Sequence, residues 1–95
     1  MKVVYTQQAV QDLVDAYEYL IGRNEIWAAQ RVDAAVARVV ERLAAREFEG
    51  PLMTLESGAR VRSWPAPPFR VLYTRDEDVL VVVRVYHQAR RPLHE

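Results

Sequence analysis

The chain has 95 residues, 51% of them hydrophobic, with 13 Lys/Arg against 13 Asp/Glu and no cysteine. That length supports one modest core but not two, and the lack of thiols excludes a disulfide framework or thiolate metal site. Zero net charge argues against indiscriminate electrostatic binding to nucleic acid. The longest apolar run, Val79 to Val83, is far below the roughly 20 residues of a membrane span, and no basic segment followed by an apolar stretch opens the chain. A single soluble domain over residues 1–95, in the cytoplasm, is the expectation.

Lys2 to Tyr5 is a short strand candidate, and Thr6 stands where a helix N-cap belongs. Val10, Leu13, Val14, Tyr17, Leu20 and Ile21 then follow the three-and-four spacing of a helical face, with Gly22 as the stop. Asn24 is placed to cap a second helix, whose apolar stripe runs through Trp27, Ala28, Val32, Ala35, Val36, Val39, Val40 and Leu43. Trp27 and Trp64 are candidate interface anchors, although Trp27, lying on that stripe, is expected in the core. The short connection predicts an antiparallel helical hairpin.

Gly50 and Pro51 break the pattern, Leu52 to Leu55 reads as an extended or turn segment, and Arg60 to Trp64 as a partly exposed strand. Pro65, Pro67 and Pro68 are expected to forbid regular pairing. Phe69 to His87 reads as a hairpin, because two β-branched and aromatic runs flank the acidic turn Asp76, Glu77, Asp78. The order is a strand, two helices and then three strands. This predicts an α+β fold in which the hairpin covers one face of a three-stranded antiparallel sheet.

The charge divides along the chain: residues 1–49 carry six Lys/Arg against eight Asp/Glu, and residues 50–95 seven against five. Lys2 is the only lysine, so the cations are almost all guanidiniums, suited to bidentate contact with carboxylate or phosphate. Arg60 and Arg62 share a strand face by spacing, and pairing would bring Arg70 and Arg84 close to them. With His87, Gln88, Arg90 and Arg91 they form the candidate site, suited to phosphates or an acidic protein surface. A solvated face balanced by the acidic helices is the alternative. His87 can exchange a proton near neutrality, although a strand-end histidine bonded to backbone is the simpler reading. No ligand spacing, Gly-rich phosphate loop or G-x-S-x-G elbow occurs, so neither metal nor cofactor is expected.

Taken in order, the opening strand, TQQAVQDLVDAYEYL, WAAQRVDAAVARVVERLA, R-x-R, FRVLY and VVVRVYHQARR resemble the ParE/RelE superfamily of bacterial toxins, closer to the ParE branch. The resemblance implies the toxin of a type II toxin–antitoxin module, neutralised by a cognate antitoxin encoded beside it. A ParE-like member is implied to inhibit DNA gyrase without being a nuclease. The alternative is a RelE-type, ribosome-dependent mRNA endoribonuclease, in which the resemblance places Arg70 and His87 at functional positions. Neutral charge and a sheet without lysine depart from that alternative.

Overall fold

The computed structural model describes residues 1–88. Strand β1 (Lys2–Tyr5) leads into α1 (Gln7–Gly22) and α2 (Ile26–Ala44), followed by β2 (Leu52–Thr54), β3 (Arg60–Ala66), β4 (Phe69–Arg75) and β5 (Val79–His87). Among the described residues the sheet has five strands in the order β1-β5-β4-β3-β2. It is thus larger than the three-stranded expectation at both edges: β1 joins in parallel beside β5, and Leu52–Thr54 pairs antiparallel with β3.

Thr6 caps α1 as its position suggests. Its hydroxyl accepts from the Ala9 N–H at 3.0 Å and donates to the Val83 carbonyl at 2.7 Å, fastening the helix start to β5. Gly22 is the last residue of the helix, but the left-handed residue that closes it lies two positions on. Asn24 adopts left-handed φ 61, while Asn24 N–H donates to Ile21 O and Glu25 N–H to Leu20 O, the paired bonds of a Schellman ending. Asn24 therefore terminates α1, and Glu25 occupies the N-cap position of α2. The same motif closes α2, with Arg46 at φ 59, its N–H on Leu43 O and that of Glu47 on Arg42 O.

Helix α2 buries Ala29, Val32, Val36, Val40 and Leu43, a three-and-four series that excludes Trp27. Two residues before Ala29 is about 200° around the helix, so the Trp27 side chain points outward and is 60% exposed. The core expectation for Trp27 is corrected accordingly. The buried stripe packs with Val71, Tyr73, Leu80, Val82 and Val85 from the sheet and Ala9 from α1. A smaller cluster, Leu55, Val61 and Leu72, packs separately, on the sheet face away from the helices by strand alternation. Between the helices, the Tyr17 hydroxyl donates to Asp33 at 2.8 Å. Burial foremost, then this bond to the carboxylate, pushes the Tyr17 phenol well above its usual pKa.

The prolines do not stop β3. Pro65 pairs with Arg70 and Ala66 with Phe69, and Pro67–Pro68 form the two-residue turn into β4. β2 pairs only with residues 60–62, so Pro65 lies past its end and the missing N–H removes no ladder bond there. In β5 the register slips between Leu72 and Tyr73, whose partners are Arg84 and Val82. Val83 is the extra residue of a bulge, which re-aims the side chains beyond it.

Candidate functional site

Helices and sheet close on each other at one end and stand apart at the other. At the closed end, the Gly50 N–H donates to the Tyr73 hydroxyl at 2.8 Å. Arg75, whose side chain is only 6% exposed, donates to the carbonyls of Leu43 (2.8 Å) and Phe48 (3.0 Å) and pairs with Glu49 at 3.3 Å. Arg62 donates to Gly50 O at 2.8 Å and also reaches Glu49, while Arg46 donates to Asp76 O. Phe48 stacks on Trp64 with centroids 4.0 Å apart, and the Arg42 guanidinium lies over Phe48. Among the described residues no buried side-chain nitrogen or oxygen lacks a hydrogen-bond partner.

At the open end, the α1–α2 hairpin and the β3–β4 turn leave a groove of about 1000 Å³. Tyr19 and Leu20 line it from α1, Trp27 and Ala35 from α2, and Phe69 and His87 from the sheet. Tyr19 is 57% exposed, so two large aromatic rings flank the mouth. Arg31 and Arg38 project from the α2 wall, and Asp12 and Asp15 from the α1 wall. The Arg31 guanidinium lies 5.5 Å from the Trp27 ring centroid, a cation–π arrangement. His87 meets Phe69 edge-on at 5.3 Å.

Asp12 is engaged. Its carboxylate accepts from Arg84 Nε at 2.8 Å and Nη2 at 2.9 Å, and from the Val85 N–H at 2.9 Å. β1 has ended by this point in the register, so Asp12 and the Thr6 hydroxyl occupy the edge of β5 that β1 vacates. The fork-like pair is largely shielded from water and fixes α1 against the strand that ends in His87.

The arginines expected to converge do not form one surface. Arg62 stands opposite Tyr73, on the helix-facing side, and Arg60 shares that side by alternation. Arg70 stands opposite Tyr86, and its Nε donates to Ser63 Oγ at 3.4 Å. Tyr86 packs against the second cluster, which puts Arg70 on the far face. Arg84 is bound to Asp12. Sequence spacing placed each residue within its strand, but the face presented by β3 relative to β4 depends on pairing register, which spacing alone does not contain. His87 pairs with Phe69 and faces the groove, so Arg70 and His87 point to opposite faces and do not converge on one phosphate. Gln88 is exposed, its N–H donating to Pro68 O at 2.8 Å. Arg90 and Arg91 lie outside the described residues.

Tyr19, Arg31 and Arg38 carry no site expectation from sequence, and Trp27 carries one only as the alternative to a core position. The signal that could have found them is the offset of Trp27 from the Ala29–Leu43 stripe. Among the described residues, no group of three or more His, Asp or Glu is placed to hold a metal ion, and no helix is long and apolar enough to cross a membrane.

A family model described as the ParE toxin of the type II toxin–antitoxin system parDE matches residues 3–92. Among solved structures, the fold is similar to a chain described as the chromosomal ParDE TA system from P. aeruginosa. The TM-score is 0.71 at 18% identity, over 92% of this chain and 95% of that one. Comparison with curated proteins gives no match.

Proposed function

The chain belongs to the ParE toxin family of type II toxin–antitoxin systems, and from that premise we propose that it arrests growth by inhibiting DNA gyrase in the cytoplasm. In this reading a cognate antitoxin binds it directly and holds it inactive, and the pair stabilises the plasmid or chromosomal region that encodes it. The observation that supports a neutralising partner is the open groove, where apolar rings, small side chains and charge lie together on a surface no other part of the described chain covers.

Neutralisation then follows from position. His87 lines the groove and Gln88 bonds to the turn at its mouth, so a segment seated there also lies against the end of β5. The gyrase contact is assigned to His87, Gln88, Arg90 and Arg91, with Arg70 and exposed Arg60 as further contacts. Arg62 and Arg84 support these positions from within. The RelE-type alternative is not favoured, since Arg70 and His87 occupy opposite faces.

A supercoiling assay with purified gyrase tests the reading. Loss of supercoiling on adding the chain, reversed by the antitoxin encoded beside it, is the expected result. Growth arrest with undisturbed gyrase would remove the target. Retained toxicity of an Arg90→Ala/Arg91→Ala variant would remove the carboxy-terminal contact.

A further inference from the structure

Strand β5 loses its regular support on both sides at one place. Its parallel pairing with β1 ends where Tyr5 meets Val82, and its antiparallel pairing with β4 slips there too, with Tyr73 opposite Val82 and Leu72 opposite Arg84. A bulge of this kind bends the strand that carries it. Beyond it, Val85, Tyr86 and His87 pair with Val71, Arg70 and Phe69 on the β4 side, and no strand of the described residues pairs with them on the other. The angle at which β5 leaves the bulge is therefore not set by the sheet alone.

Helix α1 supplies the missing side. Thr6, its N-cap, donates its hydroxyl to the Val83 carbonyl at 2.7 Å, and Asp12, farther along, accepts the Val85 N–H at 2.9 Å. These two side chains bracket Arg84 and stand where a continuing strand would place backbone groups. The same carboxylate accepts from Arg84 Nε at 2.8 Å and Nη2 at 2.9 Å, so the backbone of one residue and the side chain of its neighbour are anchored on a single group. The Arg84 and Asp12 side chains are only 17% and 16% exposed, which limits competition from water and makes the anchor stiff.

Resting on the gyrase reading above, we propose that Asp12 is a positioning residue for the toxic surface. It is not itself a gyrase contact. It sets the angle at which β5 leaves its bulge, and through that the place of His87 and Gln88, which are assigned to the contact. A surface carried on a strand end is only as precise as the groups that hold the strand from behind. Removing the carboxylate releases the Val85 N–H and its hold on Arg84 together, so the strand end swings about the bulge while α2 and the rest of the sheet stay packed.

The test compares variants of the full chain in a gyrase supercoiling assay, each checked for folding by circular dichroism and urea denaturation. Asp12→Ala is expected to weaken inhibition roughly tenfold or more and to speed amide exchange at Val85 and His87. Asp12→Asn, which keeps an acceptor for the Val85 N–H, is expected to fall between it and the wild type, and stands in for it should Asp12→Ala not fold. Arg75→Met, at the closed end, loses comparable stability without touching Val85 to His87 and is expected to inhibit as the wild type does. Undiminished inhibition by the Asp12 variants overturns the inference and leaves the gyrase reading standing. Equal losses in the Asp12 variant and Arg75→Met overturn it too, since stability alone then accounts for the effect. If the wild-type chain arrests growth without inhibiting gyrase, the gyrase reading falls, and growth arrest by the same variants decides the positioning role. If it does neither, both fall.

Discussion

The two ends of the helix–sheet layer use the same residue types to opposite purposes. At the closed end, Arg62 and Arg75 are tied to backbone carbonyls and Glu49, and Phe48 stacks on Trp64. At the open end, Arg31, Arg38, Tyr19 and Trp27 face outward, with no carboxylate on either cation among the described residues. An arginine whose donors are satisfied by carbonyls in a dry corner supports the fold, because removing it strands those carbonyls. One laid across an exposed ring contributes little to the isolated chain and keeps its charge for a partner. The contrast separates arginines that build the domain from arginines that it presents.

Substitutions can break that contrast, beginning at the closed end. An added Cβ at Gly50 would sit 1.8 Å from the Ser63 carbonyl oxygen, and backbone cannot yield as a flexible side chain does. Gly50→Ala should cost about 3 kcal/mol or more in urea denaturation; a near-neutral result would mean the corner is looser than described. Arg75→Met leaves the Leu43 and Phe48 carbonyls without this donor and should cost about 2–3 kcal/mol. Asp12→Asn keeps an acceptor for the Val85 N–H but loses the charge facing Arg84, for a loss of about 2 kcal/mol.

The open end should respond in the reverse sense. Trp27→Ala is expected to alter stability by no more than about 0.5 kcal/mol, yet to reduce antitoxin affinity measurably by calorimetry. A large stability loss would show that the exposed ring belongs to the core after all. The smallest effect concerns pH. Bonds from the Asp78 and Val79 N–H groups lower the Asp76 pKa below its ordinary value of 3.8. The turn's stabilisation is therefore complete above that value and is lost as pH falls through the lower, folded-state pKa. Amide exchange at Asp78 and Val79 should be slower in the native chain than in Asp76→Asn while Asp76 is ionised, and the difference should shrink as pH falls through the lowered pKa; if the two chains respond alike across the acid range, the carboxylate is not holding the turn.

Elements with a strong period were legible from sequence. Both helices, the acidic turn and the strands around it stand where hydrophobic spacing places them, and Thr6 caps α1 as its hydroxyl suggests. The misses share a cause: each depended on a neighbour distant in sequence. Pro65 is compatible with β3 because β2 has already ended beside it. Leu52–Thr54 becomes a strand because β3 offers an edge. Trp27 lies outside the core because the buried stripe is centred on Ala29 rather than Ala28, a shift of one residue that redirects a large ring. Guanidiniums that spacing would gather are divided between two sheet faces by register. The groove residues were hidden for the same reason, since the cavity exists only where two helices and a turn from separate parts of the chain stop short of one another.

The parallel contact between β1 and β5 also governs when the molecule comes into being. Lys2–Tyr5 pairs with Val79–Val82, and the Thr6 hydroxyl reaches Val83, 77 positions later. The last strand of the described residues, β5, is an interior strand of the sheet, flanked by β1 and β4. At a synthesis rate of roughly 5–20 residues per second, the opening strand waits several seconds for its neighbour, and such distant pairing is slow even once both are present. A nascent chain that has made only the helical hairpin and β2 to β4 lacks Val85 and His87, and with them the β5 part of the groove's sheet wall. Translation thus separates birth of the polypeptide from birth of its binding surface, an interval in which the partner has nothing complete to grip.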